Sequence, residues 1–162
     1  VYPHERQCSE AVELPGGTPT EKAEFRDNLI ADIAKVEQGM KIALIGVVNP
    51  LIAAIRKRGG TCLPCDLQME RTHWGDPVEK DMEKVLDSAD GVICTGMTLS
   101  NGTFDRVIER VLERSIPLTV YAQTGSAVAA RFVGAGITSL VAEPFPFSQF
   151  SANATRVFCY RG

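Results

Sequence analysis

The sequence predicts an α/β domain in which a doubly wound parallel sheet is covered by helices on both faces. Three observations predict it. Apolar runs of strand length alternate with segments whose apolar residues recur at helical spacing. The runs are apolar throughout, as expected of strands buried on both faces. Gly, Pro and Asn stand at the joints between the two kinds of segment.

Residues 1–20 carry Pro3, Pro15, Gly16, Gly17 and Pro19 without a sustained period and read as an irregular arm. Residues 21–162 then read as a single domain. Glu21 to Gln38 reads as a helix with Phe25, Leu29, Ile33 and Val36 on its apolar face and Gly39 ending it. Lys41 to Val47 is the first strand. Asn49 suits a helix cap and Pro50 the first helical position, so a short helix runs to Arg58 before Gly59-Gly60. Thr61 to Asp66 is the second strand. Asp76 and Glu79 have capping-box spacing and open the next helix, with Val78, Met82, Val85 and Leu86 buried. Gly91 to Thr95 is the third strand. Thr103 to Ser115 is a helix whose apolar side is Phe104, Val107, Ile108, Val111 and Leu112. Pro117 to Ala122, a helix from Ser126 to Val133, and Ile137 to Ala142 complete the alternation. The pattern is Rossmann-like: a doubly wound parallel sheet of about five strands in the order 2-1-3-4-5. Ligands of such sheets sit beyond the carboxyl ends of the strands, where the strand order reverses.

Composition narrows the function. The 162 residues are 44% hydrophobic and 23% charged, which fits one folded core rather than disorder or a coiled coil. A net charge of −3 gives no basic field for nucleic acid, and no apolar run is long enough for a membrane span. Five cysteines at irregular spacing do not make a disulfide framework, so reduced thiols and a cytoplasmic setting are expected.

Two clusters fall at the expected switch point. Gly46 ends the first strand, but Val47, Val48 and Pro50 follow where a dinucleotide fingerprint needs glycines. Asp66, at the end of the second strand, stands where nucleotide-binding relatives hold a ribose; it is equally a turn-forming Asp. After the third strand, Gly96, Thr98, Asn101, Gly102 and Thr103 place small polar groups near free helix amides, as either an anion seat or plain turn chemistry. Asn49 on one side, and Thr124 and Ser126 on the other, flank the same crevice. For a transition metal, Cys65 and His73 are the candidate soft and nitrogen donors, against a bland reading as buried thiol and solvated loop. Cys62 and Cys65 would face opposite sides of a strand. His4 reads as a surface residue of the arm, and Cys94 as inert packing in its strand.

The run ADGVICTG, then MTLSNGT, a helix and IPLTVYAQTGS resembles the Rossmann-like heavy-metal chelation family, classed as a domain of unknown function. The resemblance covers about Ala31 to Phe147 and rests most on Asn101-Gly102-Thr103. Met97 departs from the family's Thr, and Ala122-Gln123-Thr124 from its Gly-Pro-Ser/Thr. The resemblance implies a metal or metal complex as ligand and an enolase-N-like domain upstream; only the arm and one helix precede the first strand here. The expected function is therefore a domain that binds a small polar or anionic ligand, a metal or a metal complex. The alternatives are an enzyme using an adenosyl or nicotinamide cofactor, with Asp66 on the ribose, and a non-catalytic scaffold. For the last, Phe145, Phe147, Phe150, Phe158 and Tyr160 form an aromatic tail suited to a core cover, a lid or a homodimer contact.

Overall fold

The computed structural model describes residues 4–162, without the side chains of Glu5 and Arg6. The chain opens with α1 (His4–Gln7), β1 (Glu10–Leu14) and α2 (Pro19–Ile33). It continues through β2 (Lys41–Ile45), α3 (Asn49–Lys57), β3 (Thr61–Cys65), α4 (Met82–Ser88) and β4 (Gly91–Thr95). A single turn, α5 (Met97–Ser100), precedes α6 (Phe104–Arg114) and β5 (Leu118–Ala122). The chain closes with α7 (Ser126–Ala129), β6 (Ser139–Ala142) and β7 (Thr155–Arg161).

The expectation of an α/β fold holds, but the sheet is mixed and seven-stranded, in the order β1-β7-β6-β5-β4-β2-β3. Strands β2 to β6 are parallel, while β7 pairs antiparallel with both β6 and β1. The two added strands come from the segments read as arm and tail. Neither segment stands in the strand-helix alternation that marks the parallel strands; β7 forms along the edge of β6, and β1 then finds its ladder partner in β7.

Alternate residues of β2 divide the core. Ile42 and Leu44 pack on one face with Ile30 and Ala31 of α2 and Leu51, Ile52 and Ile55 of α3. Ala43 and Ile45 pack on the other with Leu86 of α4 and Phe104, Val107 and Val111 of α6. Each of the larger aliphatic chains contributes about 1.5–3 kcal/mol by leaving water. Cys62 and Cys65 divide between these same two faces, as the strand period requires. Cys94 is fully buried, and burial pushes its thiol up to about 12.

Several elements differ from their expected form. Thr18 caps α2 in a reciprocal box with Glu21, so the helix begins at Pro19, two residues upstream of the expected start. Phe25 of this helix is 43% exposed, while Lys22, Arg26 and Asp27 are buried. The tail segment beyond β6 lies on that face and supplies polar partners, so charge rather than hydrophobicity points inward: Lys22 Nζ donates to the carbonyls of Ser151 (2.8 Å) and Asn153 (2.5 Å). No helix opens at Asp76. Its carboxylate accepts from Thr72 Oγ1 and pairs with Arg56, and the helix starts after Asp81, which caps the Glu83 amide. Leu112 of α6 is exposed, whereas Phe158 and Tyr160 are buried in β7.

His4 is buried, contrary to its reading as a surface residue. Its Nδ1 lies 2.5 Å from the Tyr160 hydroxyl, its Nε2 lies 3.1 Å from Ser126 Oγ, and its ring stacks on Phe158. Burial holds its pKa below the ordinary histidine value of about 6.5. A depressed pKa means the unfolded chain binds the proton more readily. The contribution of His4 is therefore complete above that ordinary value and is lost as pH falls through the folded-state value. Denaturant melts between pH 7.5 and 5 should show the wild type losing stability relative to His4→Phe as the medium is acidified; parallel profiles would contradict this.

Candidate functional site

The strand order reverses between β2 and β4: the chain crosses from β2 to β3 on one side and from β4 to β5 on the other. Gly46 follows β2 with φ of 86°, and its amide donates to the Cys65 carbonyl. A Cβ at Gly46 would overlap Thr95 Oγ1, so only glycine lets β2 and β4 end this close together. Gly96 plays the same part toward β5: a Cβ there would stand 2.7 Å from the Thr124 carbonyl oxygen.

Two cavities open from this point. One, of about 220 Å³, lies between Gly46–Val48, Gly96, Tyr121, Gln123 and Thr124. The other, of about 270 Å³, runs toward Cys65, Leu67, Lys80, Met82, Asn101 and Thr103. Both are bordered by Gly46, Asp66, Thr95 and Met97, so they are lobes of one crevice. Thr95 Oγ1, at their shared border, is buried and has no hydrogen-bond partner among the described residues. A larger trough of about 530 Å³ lies between α2 and α3, beside His73 and Trp74. It is walled by helix flanks, whereas the crevice collects the ends of four strands, and the crevice is the better candidate site.

Asp66 brackets the crevice floor. Its Oδ1 accepts from the amides of Gln68 (2.8 Å) and Met69 (3.2 Å), and its Oδ2 from the amide of Val47 (3.0 Å). Burial works to raise its pKa, but the three amides and the charge of Lys80 together hold it below the usual carboxylate value. Oδ1 has no lone pair left to accept a second hydroxyl, so Asp66 cannot grip a ribose diol with both oxygens. Nothing else in the described residues favours an adenosyl or nicotinamide cofactor.

The other expected site residues divide. Gly96, Thr98, Asn101, Thr103 and Thr124 border the crevice with Gly46 and Asp66. The Thr98 hydroxyl is turned inward onto the Thr95 carbonyl at 2.9 Å. Gly102, with φ of 77°, shapes the turn before α6 without bordering either lobe. Asn49 is the first residue of α3 rather than its cap. It borders the trough, where its Oδ1 accepts the His73 amide at 3.0 Å. Ser126 is held against His4.

Cys65 and His73, the expected metal pair, are not brought together. Cys65 borders the crevice and His73 the trough. Burial, with Glu79 and Asp66 nearby, pushes the Cys65 thiol up to about 11, away from the thiolate a metal needs. Among the described residues, no group of three His, Cys, Asp or Glu side chains is placed to hold an ion. The described donors therefore do not fit a bare heavy-metal ion.

A buried polar cluster supports the β5 side of the crevice and was not legible in the sequence. Glu143, directly after β6, is fully buried. It accepts from the Tyr121 hydroxyl, from Gln123 Nε2 (3.1 Å) and from the Ser148 amide (2.5 Å). Arg26 lies 3.9 Å from it and 4.9 Å above the Tyr121 ring, and donates to Asp27 at 2.7 Å. Burial raises the Glu143 pKa, but these donors reverse that and hold the carboxyl below its ordinary value. For Asp27, burial prevails and its pKa is raised, with Oδ2 unpartnered. The only available signal was an acidic residue ending an otherwise apolar strand.

A mixed, helix-covered sheet with a polar crevice at its switch point defines the chain as an α/β domain. Residues 28–140 match the family DUF364, described as "Putative heavy-metal chelation", and the chain belongs to that family. A DUF364 protein of unknown function from Pyrococcus horikoshii has a similar structure: TM-score 0.59, 15% identity, covering 89% of this chain and 66% of that one. Mitochondrial aspartate aminotransferase from Trypanosoma brucei gives TM-score 0.53 at 13% identity, over 99% of this chain and 47% of that one. The α-aminoadipate aminotransferase LysN from Thermus thermophilus gives 0.60 at 13% identity, over 93% and 41%. At these identities the likeness is one of fold. The chain spans about half the length of the aminotransferases and 66% of the Pyrococcus protein. Comparison with curated proteins yields no match. No helix among the described residues is long and apolar enough to cross a membrane.

Proposed function

We propose that this DUF364 chain binds a small polar ligand in the switch-point crevice. The observation that carries the reading is the pair of lobes sharing Gly46, Asp66, Thr95 and Met97 at the carboxyl ends of β2 and β4. Gly46, Asp66, Gly96 and Thr124 shape the first lobe, and Thr98, Asn101 and Thr103 the second. The unpartnered Thr95 hydroxyl supports the reading, because a buried orphan of this kind costs about 1–3 kcal/mol unless something satisfies it.

The family description makes a heavy metal a natural candidate ligand. With no three-donor group among the described residues, the reading is that a metal enters already complexed, and that the protein recognises the complex through its polar and apolar surface. A homodimer and a cytoplasmic setting belong to the same proposal. The aromatic surface for a dimer is reduced to exposed Phe145 and Phe150 with half-buried Phe147, since Phe158 and Tyr160 lie inside the sheet.

Native mass spectrometry with elemental analysis of freshly purified protein tests the site. Thr124 is exposed on the rim, so Thr124→Trp fills the first lobe without disturbing the core. The expected result is a retained small molecule in the wild type that is absent from the variant. A ligand kept equally by both proteins, or a stoichiometric bare ion, would count against the reading.

A further inference from the structure

The hydrogen bonds around the larger lobe indicate what chemistry its ligand must have. Two acceptors on its walls, Asp66 and Asn101 Oδ1, are engaged within the protein. Asp66 takes three backbone amides. Asn101 Oδ1 takes the Thr103 amide (3.2 Å) and hydroxyl (2.7 Å). The neighbouring carboxylates are also engaged: Glu79 accepts the amides of Lys80 and Asp81 and faces Lys84 at 3.7 Å, and Asp81 caps α4.

The donors are not engaged to the same degree. Lys80 Nζ donates to the carbonyls of Leu67 (3.1 Å) and Met69 (2.7 Å), which leaves one of its three protons, and it has no ion pair among the described residues. The Asn101 amide nitrogen has no partner among them. Beside these donors the lobe is apolar. Leu67 and Met97 are 67% and 64% exposed on its rim, with Ile45 and Met82 behind them.

We propose that the crevice ligand is an organic oxyanion with an apolar substituent. Its head is held by Lys80 and the Asn101 amide, and its substituent lies on Leu67, Met82 and Met97. This rests on the crevice reading above and adds the ligand's chemical class. A head that accepts hydrogen bonds completes both donors, and its negative charge meets an ammonium that has no ion pair among the described residues. The apolar substituent covers two rim side chains otherwise exposed to water.

The test is an NMR titration of the whole chain with hexanoate, hexan-1-ol and acetate, following the amides of Gly46, Leu67 and Thr103. Hexanoate should shift these amides saturably, with hexan-1-ol and acetate each at least about tenfold weaker, as the loss of one charge-assisted hydrogen bond or of the apolar contact implies. Asn101→Asp keeps the acceptor for Thr103 and replaces the free amide with a negative charge. Lys80→Met removes the ammonium at similar length. Each should weaken hexanoate about tenfold and leave hexan-1-ol unchanged. If hexan-1-ol moves the same amides as tightly as hexanoate, the anion is wrong while the crevice stands. If acetate equals hexanoate, the apolar substituent is wrong. Hexanoate binding that ignores both variants, or shifts only residues outside the crevice, overturns the proposal.

Discussion

Glu143→Gln should lower the free energy of unfolding by about 3–5 kcal/mol, the range for removing one partner of a buried charged network. The two side chains have the same shape, so the loss comes from hydrogen-bond polarity. All three groups facing the carboxylate are donors: the Tyr121 hydroxyl, the Gln123 amide and the Ser148 backbone amide. An amide nitrogen at either position would face one of them donor to donor. Arg26 would also lose its second counter-charge. Urea melts at pH 7 measure the effect, and a change below about 1 kcal/mol would show that the cluster does not hold the β5 end in place. The pH dependence carries a definite sign. The folded-state pKa of Glu143 is depressed, so its contribution is present above the ordinary carboxylate range and is lost as pH falls through the folded value. The variant should therefore lose part of the wild type's acid sensitivity. Asp27 acts in the opposite sense. Its pKa is raised, by burial first and by the Glu143 charge in addition, so its contribution is greatest in acid and declines as pH rises through the folded value; in the variant that component should shrink but keep its sign, because burial remains.

Gly46→Ala should destabilise by about 2–5 kcal/mol and abolish ligand binding. Two effects add. Residue 46 has φ of 86°, where a Cβ costs about 1–2 kcal/mol. The new methyl would also overlap Thr95 Oγ1 and stand 3.1 Å from Thr95 Cγ2, and overpacking of this kind costs about 1–3 kcal/mol. Thr95→Ala in the same background separates them. It removes the atoms the methyl strikes, so the double variant should recover the overlap but not the backbone strain. Strict additivity of the two substitutions would mean that Gly46 and Thr95 do not meet as described. Binding should fail even if the chain refolds around the methyl, because Gly46 borders both lobes.

Much of the crevice could be located in the sequence because its position follows from the order of elements. Once Lys41–Ile45 and Gly91–Thr95 are buried parallel strands, Gly46 and Gly96 must stand at their carboxyl ends, and Asp66 beside them. What each residue does there was not legible. Asp66 resembles a ribose-binding acid in position, yet its oxygens are taken by amides from its own turn and from Val47. Cys65 and His73 are eight positions apart in sequence, but the turn between them carries His73 over α3 to Asn49 and away from the crevice.

Hydrophobic period and turn residues determine which segments become parallel strands and which helices cover them, because both are local properties with thermodynamic weight of their own. Long-range pairing is decided by tertiary structure alone. Thr155–Arg161 is a strand because it lies along β6, and Glu10–Leu14 because it lies along Thr155–Arg161, paired over five positions from Glu10↔Cys159 to Leu14↔Thr155. Lys22, Arg26 and Asp27 are buried only because the tail brings carbonyls, a hydroxyl and the neighbourhood of Glu143 to meet them. His4 turns inward only because Ser126 and Tyr160, 122 and 156 positions further along the chain, converge on it. A polar side chain is buried when distant groups complete its hydrogen bonds, and no local pattern records those partners.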